Sequence, residues 1–482
     1  MYLYRLLFIF LTYITLFSFS YKFYPPVWPD EVLFFSPANQ LATYNSFSTP
    51  VLEGLIEGMD RATLWMPPLF MLYLAFFFKI FYSDLLIARS ASFIASILVC
   101  LPLLGIANRL GLQKKYHPLL ISLLLTDILF YKISATARME SLCLLISLTG
   151  LYVLLTDLKT EIKYLLAGSL SGLSFLSHPF GIVFIPINLF FLYIKNNLNL
   201  KSLFLMSAGG ILPILAWGSY VIQSFDLFLL QFGAQLGRKK DLLFSVFTLI
   251  TKVKIILSGF RFPSVKLTLL IFLFFLLIKV LKDKLIKEST KNNLILLFIS
   301  LCNIILFLFL SSESWYVYYI IPFIYLIIIF IMTTNEIYGK LLFVISLLYN
   351  VIVIFFFIIN NFILYNTFQL QEKYFSTIAD YCNGKKKIYL QAIPDPFFYL
   401  QSKNQNYILK EFIPGELPLP YDYPQKEMSE QEVFIFYNED LAHPFLKEFL
   451  IKEQNKFERF EINIPNSRGS EYKLFAVIYR KK

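Results

Sequence analysis

The sequence has few charged residues, few cysteines and almost no histidine. Only 16% of its 482 residues are charged, whereas soluble domains carry about a quarter. The four cysteines and three histidines are scattered and show no spacing typical of a zinc site or a disulfide framework. These shortages argue against a soluble globular enzyme, a zinc module and a disulfide-rich secreted domain.

The glycine-rich motifs that bind nucleotides are also missing. The sequence contains no P-loop and no dinucleotide fingerprint. The net charge is +11, but much of the lysine and arginine excess lies between apolar runs, where the positive-inside bias places it. We therefore interpret the charge as membrane topology rather than nucleic-acid binding, and we expect a lipid-linked substrate rather than a nucleotide-linked one.

Long apolar runs dominate the chain. It is 57% hydrophobic, with a mean hydropathy of +0.64, which is typical of a polytopic membrane protein. Runs long enough to span a bilayer lie at about 3–21, 87–108, 117–134, 140–156, 163–177, 179–195, 202–222, 263–281, 293–311, 317–334 and 340–365.

The run at 65–82 is ambiguous, because it begins with two prolines and contains Lys79. If it spanned, every later basic loop would face outward, against the positive-inside rule. We therefore predict eleven transmembrane helices, a cytoplasmic amino terminus and a large first outer loop at about 22–86. In this prediction, 65–82 only dips into the membrane.

The character of the chain changes after residue 366. Turn residues return, and short β-type runs occur at 387–391, 432–437 and 473–479, with a helical run at 442–454. The sequence thus predicts an α-helical polytopic membrane protein with a small C-terminal α/β domain. We assign 1–365 to the transmembrane catalytic domain and 366–482 to an extracytoplasmic domain.

Three polar features fall on the predicted outer face. They are Asp30-Glu31 after the first span, Arg138 and Glu140 before the fourth, and His178 after the fifth. Sugar transfer needs a general base for the attacking hydroxyl or amine and positive charge near a departing phosphate. This grouping favours a membrane glycosyltransferase.

Roles can be suggested for each residue. Asp30, Glu31 and Glu140 are the candidate catalytic acids, and an alternative is that Asp30 and Glu140 hold a divalent cation; no cofactor is otherwise indicated. The candidate substrate-binding residues are Arg138, Lys79 and Arg238 for a lipid phosphate, His178 for the phosphate or sugar, and Tyr318 and Tyr319 for the sugar. Each feature also has a structural interpretation, such as a solvated loop pair, a snorkelling lysine, a lipid-headgroup contact or an aromatic belt.

The ordered set of motifs resembles the GT-C superfamily of integral-membrane glycosyltransferases. It is most similar to the branch of the protein O-mannosyltransferases and the lipid A aminoarabinose transferases. The similar stretches are Asp30-Glu31, Met66-Pro67-Pro68-Leu69, Arg89, Ala137-Arg138-Met139-Glu140, His178-Pro179-Phe180-Gly181 and Tyr318-Tyr319-Ile320-Ile321-Pro322.

The resemblance implies a polyprenyl-phosphate sugar donor, transfer on the outer face with inversion, Asp30 as base or acceptor-binding acid, and assistance from Glu140. Two positions depart from the family pattern. Met66 stands where a lysine often precedes the two prolines, and no basic residue precedes Tyr318. Both departures remove basic residues that the resemblance would place near the donor phosphate.

The expected function is transfer of a sugar from a polyprenyl-phosphate donor to an extracytoplasmic glycan, lipid or protein, at the outer face of a bacterial cytoplasmic (inner) membrane. One alternative is a lipid-linked glycan polymerase or ligase, which would depend on loop arginine or histidine, such as Arg238. Another is a lipid or sugar transporter (flippase), which would place polar groups at mid-membrane and often show repeated halves.

Overall fold

The computed structural model describes residues 2–54, 56–195, 197–237, 253–254, 273–274, 276–279, 281–283, 288–311, 313–334, 336–359, 367–411, 430–442, 444–465 and 473–482. Helices occupy most of the first 359 residues. They are α1 Tyr2–Ser20, α2 Pro29–Tyr44, α3 Leu69–Ile80, α4 Leu85–Arg109, α5 His117–Leu125, α6 Ile128–Ser134, α7 Glu140–Leu154, α8 Thr160–Ser177, α9 Phe184–Ile194, α10 Leu200–Val221, α11 Phe225–Gly237, α12 Glu288–Ser311, α13 Ile321–Thr334 and α14 Glu336–Ile358.

The protein is an integral multi-pass membrane protein. Within the described ranges, five helices are long and apolar enough to cross a membrane, or six if the bent pair α5–α6 counts as one span. The predicted run at 65–82 becomes α3, which has 12 residues and is only about 18 Å long at 1.5 Å per residue. It is too short to cross a hydrocarbon core of about 30 Å. The number of eleven spans stays a prediction.

The predicted span at 117–134 is broken in the middle. Helices α5 and α6 meet at an angle of 70°, and the buried Asp127 lies at the break. Its Oδ1 accepts hydrogen bonds from the N–H groups of Leu129 and Phe130 at 2.9 and 3.2 Å, which caps α6. Its Oδ2 accepts the Tyr325 hydroxyl at 2.6 Å. A buried carboxylate needs such partners, and capping a new helix supplies them.

Helices α8 and α10 pack with their backbones in near contact. A Cβ atom added at Gly168 would lie 2.0 Å from the Met206 carbonyl oxygen, and one added at Gly209 would lie 2.2 Å from the Leu165 oxygen. Small residues at such spacing permit close helix pairing in membranes, where packing replaces the hydrophobic effect. This pair fixes the position of Ser177 and His178 at the end of α8.

The C-terminal region is a small α/β unit. Its helices are α15 Thr367–Cys382, α16 Phe397–Lys403 and α17 Pro444–Lys452, and its strands are β1 Lys387–Gln391, β2 Ile408–Glu411, β3 Val433–Phe436, β4 Phe457–Ile464 and β5 Leu474–Lys481. The strand order is β2-β1-β3-β5-β4. Strand β1 pairs in parallel with β2 and β3, while β5 is antiparallel to both β3 and β4. The predicted fold class is confirmed.

The sheet packs on the acid-bearing part of the membrane region. The N–H of Asp395, in the loop after β1, donates to the Val27 carbonyl at 2.9 Å. Lys410 in β2 reaches Glu53 at 2.9 Å. One hydrophobic cluster runs without interruption from α2 and α3 into the sheet. The C-terminal unit is therefore part of the surroundings of the site rather than a separate appendage.

Candidate active site

Helix α2 starts in a way that fixes both predicted acids. Pro29 occupies its first position, where a missing N–H costs nothing and the ring presets the helical φ. The N–H of Trp28 donates to Glu31 Oε1 at 3.1 Å. Asp30 and Glu31 thus lie in the first turn, where the helix dipole stabilises negative charge.

Glu31 is fully buried and all its acceptor sites are used. Arg89 in α4 donates to it through Nε at 2.9 Å and through Nη2 at 2.6 Å. The N–H of Ala137 donates to Glu31 Oε2 at 2.8 Å. Both side chains of the Glu31–Arg89 pair are 0% exposed. Such a saturated carboxylate joins α2, α4 and the loop before α7, and it has no acceptor site left for a substrate.

Arg89 completes this junction from the other side. Its Nη1 donates to the carbonyls of Tyr21 and Pro25, at 2.5 and 2.8 Å. The turn between α1 and α2 is therefore held by the same guanidinium that binds Glu31. A lysine could not replace this planar set of donors.

Asp30 is in a different environment. Its side chain is 42% exposed, and its Oδ2 accepts one hydrogen bond from Arg138 Nη1 at 2.5 Å. Within the described part of the chain, Oδ1 has no hydrogen-bond donor. Arg138 is nearly buried and also binds the fully buried Glu140 through Nη2 at 2.9 Å and through Nε at 3.1 Å. Asp30 is thus an accessible carboxylate with a free oxygen, oriented by a fixed cation.

The backbone and an aromatic ring hold Arg138 in place. Its N–H donates to Ser92 Oγ at 3.2 Å, and the Ser92 hydroxyl donates back to the Arg138 carbonyl at 3.1 Å. The guanidinium carbon lies 4.9 Å from the centre of the Trp315 ring, a cation–π distance. Arg138 is therefore held in one position, where its guanidinium forms ion pairs with two carboxylates.

His178 lies against the aromatic segment before α13. Its Nε2 is 3.0 Å from the Tyr316 hydroxyl, and the Phe180 N–H donates to Nδ1 at 3.2 Å. Gly181 is required here, since a Cβ atom would lie 2.5 Å from Ser174. The motif that begins at His178 thus forms a tight turn that aims the imidazole at Tyr316.

Tyr318 and Tyr319 are fully buried. The Tyr318 hydroxyl donates to Ser141 Oγ at 3.3 Å, and the Tyr319 hydroxyl lies 3.3 Å from His178 Nδ1. Both were predicted to contact the sugar. In the structure, their hydrogen bonds connect them to Ser141 of α7 and to His178.

One of the predicted phosphate ligands, Lys79, lies away from this group. Lys79, at the end of α3, is exposed and donates to Asn45 Oδ1 at 3.3 Å. Asn45 follows the last residue of α2, so it lies about 20 Å from Asp30 along the helix axis. Arg238 lies outside the described residues.

The alternative of a metal held by Asp30 and Glu140 receives no support from the geometry. Arg138 occupies the space between the two carboxylates and binds both. Among the described residues, no group of three or more histidine, cysteine, aspartate or glutamate side chains could hold a metal ion.

Two carboxyl groups near the site were missed by the sequence reasoning. Asp395 follows β1 and Glu411 ends β2, and both are buried. Burial raises the pKa of Asp395 to about 7, and it raises the pKa of Glu411 well above its usual value, with repulsion from Asp395 as the second cause. Residues at the carboxyl ends of parallel strands often meet a ligand site. That rule, applied to the predicted strand β1, could have found Asp395, whereas Glu411 could not be found because β2 was not predicted.

Arg89 was recognised in the sequence only as a motif residue. No sequence signal pairs it with Glu31, because their 58-residue separation is closed only by the packing of α2 against α4. Ser92, Trp315 and Tyr316 were missed as neighbours of Arg138 and His178 for the same reason.

The fold is similar to that of GT-C-type membrane glycosyltransferases. Residues 66–220 match the family model described as dolichyl-phosphate-mannose-protein mannosyltransferase. That segment contains Arg89, Arg138, Glu140 and His178, but not Asp30. Comparison with curated proteins gives no match.

Among solved structures, ArnT from Cupriavidus metallidurans bound to undecaprenyl phosphate matches with a TM-score of 0.56 and 10% identity, covering 98% of this chain and 97% of that one. The apo-state structure of the same protein matches with a TM-score of 0.47 and 9% identity, covering 98% of this chain and 97% of that one. The undecaprenyl-phosphate-bound structure shows that the two chains share a fold. Together with the family model, it confirms the resemblance to GT-C glycosyltransferases expected from the sequence.

Proposed function

We propose that this protein is a glycosyltransferase that moves a sugar from a polyprenyl-phosphate donor to an extracytoplasmic acceptor, with Asp30 as the base. The observation that carries the proposal is the arrangement of Asp30. Asp30 is an accessible carboxylate with one free oxygen. It is bound to the nearly buried Arg138, which also binds Glu140. The match to a mannosyltransferase family model and the fold of ArnT support the class and the lipid-linked donor.

The reaction is a single displacement. Asp30 Oδ1 takes the proton of the acceptor hydroxyl or amine as that atom attacks the anomeric carbon. The bond from this carbon to the phosphate oxygen breaks, and the polyprenyl phosphate leaves with the electron pair. Arg138 orients Asp30, and a remaining N–H of its guanidinium donates to the phosphate. The anomeric carbon inverts.

His178 and Tyr316 contribute at the edge of this site. Their hydrogen bond places a polar pair close to the Arg138–Trp315 stack. We assign the pair to the donor, as a partner for the phosphate or for a sugar hydroxyl. In this proposal the reaction takes place on the outer face of the bacterial cytoplasmic membrane, as the positive-inside argument predicts.

The test is donor turnover by purified protein. We expect labelled polyprenyl-phosphate sugars, supplied as a panel, to include one that releases its sugar to water or to an acceptor. Asp30→Asn should reduce that turnover by about 10²–10⁴-fold, the usual contribution of a general base. Asp60→Asn, which changes an exposed acid of the same loop, should have no effect. Full turnover by Asp30→Asn would remove Asp30 from the mechanism.

A further inference from the structure

A pocket of about 220 Å³ lies between α2 and the C-terminal unit. Its walls come from the middle of α2, from the segment after it, and from α16 and β2. It is separate from the Asp30–Arg138 group, because its α2 residues begin five positions beyond Asp30. The pocket is below the range of roughly 300–1,000 Å³ typical of drug-sized ligands, so it suits one small ring.

The pocket is lined by side-chain carboxamides. Asn39 and Gln40 come from α2, and Gln401 and Gln405 come from the C-terminal unit. A carboxamide offers both donors and an acceptor without charge. Within the described ranges, the carboxamides of Gln40, Gln401 and Gln405 make no hydrogen bond to other protein groups. They are therefore available to a ligand that carries several hydroxyl groups.

Two aromatic rings complete the wall. Phe397 at the start of α16 is 5% exposed, and Tyr407 just before β2 is half-buried; both line the pocket. Flat apolar faces beside neutral hydrogen-bonding groups suit an amphipathic ring. A sugar has this character, because its C–H face is apolar and its rim is hydroxylated.

The charge in the pocket is already balanced. Lys410 is nearly buried, and its ammonium group donates to Glu53 at 2.9 Å and to the Pro50 carbonyl at 3.0 Å. An anionic ligand such as a phosphate would have to compete with Glu53 for this cation. The pocket therefore favours a neutral ligand over the phosphate of a lipid.

We infer that this pocket is an acceptor subsite that binds a neutral sugar ring, so that the acceptor of the proposed reaction is a glycan or a glycan-bearing lipid. This inference rests on the proposed function. The pocket residues of α2 lie about 8–15 Å along the helix axis from Asp30. The subsite therefore holds a part of the acceptor remote from the reacting hydroxyl, and its binding energy can help to position that group.

The experiment is saturation-transfer NMR on the full-length protein in detergent, with a panel of neutral mono- and disaccharides as probes. At least one saccharide should give a signal, and the double variant Gln40→Leu/Gln401→Leu should weaken its affinity about 30-fold, as expected when two hydrogen bonds of about 1 kcal/mol each are lost. Gln369→Leu, an exposed glutamine away from the pocket, and Asp30→Asn should retain it. No signal from folded protein, or a signal unchanged in the double variant, would overturn the inference.

Donor turnover separates this inference from the proposed function. The double variant should still release sugar from the lipid-linked donor to water at the wild-type rate, because the Asp30 group is untouched. Donor turnover without any saccharide binding would overturn the subsite and leave the proposed function in place. Saccharide binding that depends on Gln40 and Gln401, without donor turnover, would support the subsite and contradict the proposed function. Binding of the detergent's alkyl chain in preference to every saccharide would also contradict the sugar assignment.

Discussion

Asp30 and Glu31 are adjacent in the sequence and lie in opposite environments. Glu31 is 0% exposed, receives hydrogen bonds on both oxygens and joins three segments through Arg89. Asp30 is 42% exposed and is bound by a single donor, from Arg138. The comparison shows that two adjacent acids can differ in exposure and in hydrogen bonding, and therefore in what each is available for. One acid holds the fold, and its neighbour remains available for chemistry.

The largest expected effect tests whether Glu31 stabilises the fold through its ion pair with Arg89. Glu31→Ala leaves Arg89 buried and unpaired, and breaking one partner of a buried ion pair costs about 3–5 kcal/mol. We expect a large loss of thermal stability in detergent, measured by unfolding. Asp157→Ala removes the acid of an exposed pair with Arg109 and should leave the unfolding temperature unchanged. Equal stability of Glu31→Ala and wild type would contradict the role of Glu31.

The two arginines should respond differently to lysine. Arg138→Lys keeps the charge but loses the fork that binds Asp30 and Glu140 together, so donor turnover should fall by about 10–100-fold, or roughly 1.4–2.7 kcal/mol. Arg89→Lys should act mainly on stability, because Arg89 contacts no accessible group. Steady-state turnover and unfolding temperature, measured on both variants, check the distinction. If Arg89→Lys lost turnover without losing stability, the division of roles would be wrong.

A smaller effect concerns the turn that positions His178. Gly181→Ala places a Cβ atom 2.5 Å from Ser174, and overpacking of this kind costs about 1–3 kcal/mol. Turnover should fall moderately, because the turn aims His178 at Tyr316. Gly218→Ala is the matched control, since no atom lies within 4 Å of a Cβ atom there. Indistinguishable activity of these two variants would show that the turn has room to adapt.

The last prediction is a pH dependence of the stability of the C-terminal unit. The pKa of Asp395 is raised to about 7 by burial, compared with about 3.9 in an unfolded chain. Between these values the folded state holds more protons than the unfolded state, so stability should fall as the pH rises from about 4 to about 7 and then level off. The nearby Glu31 carboxylate also raises the pKa of Asp395, whereas hydrogen bonds with the Phe397 N–H and with Glu411 lower it.

The unfolding temperature, measured across that pH range for wild type and Asp395→Asn, checks this prediction. The variant should show a flatter profile, because its amide does not titrate. Glu411→Gln should flatten the profile as well, since the pKa of Glu411 is raised too. A wild-type stability that rises with pH through this range would have the opposite sign and would contradict the buried, protonated state of Asp395.

The sequence predicted the group of Asp30, Arg138 and Glu140 better than the pair of Glu31 and Arg89. Asp30, Arg138 and Glu140 could be grouped because the number of predicted spans between them places all three on the same side of the membrane. The structure brings them into contact. The pair of Glu31 with Arg89 could not be predicted, since it depends on how α2 enters the bundle. For the same reason, the sequence could not predict that Glu31 is buried and fully hydrogen-bonded while Asp30 is accessible.

The secondary structure shows a similar limit. Strands β1, β3 and β5 were predicted from apolar β-type runs, and β1 has the predicted bounds, 387–391. Strand β2 was missed, because Ile408–Glu411 is short and ends in Lys410 and Glu411. Lys410 is buried through its contacts with Pro50 and Glu53 of the membrane region, which no local pattern records. Likewise, Asp127 breaks a run whose hydropathy alone predicted one continuous span.

The most direct measurement compares donor turnover and unfolding temperature in Asp30→Asn and Glu31→Gln, using purified protein and the labelled polyprenyl-phosphate sugar that wild type consumes. We predict that Asp30→Asn unfolds at the wild-type temperature and loses about 10²–10⁴-fold in turnover. Glu31→Gln should unfold at a lower temperature, and its turnover, measured below that temperature, should change far less. Full turnover by Asp30→Asn, with loss of turnover confined to Glu31→Gln, would contradict the assignment of the reacting carboxylate to Asp30.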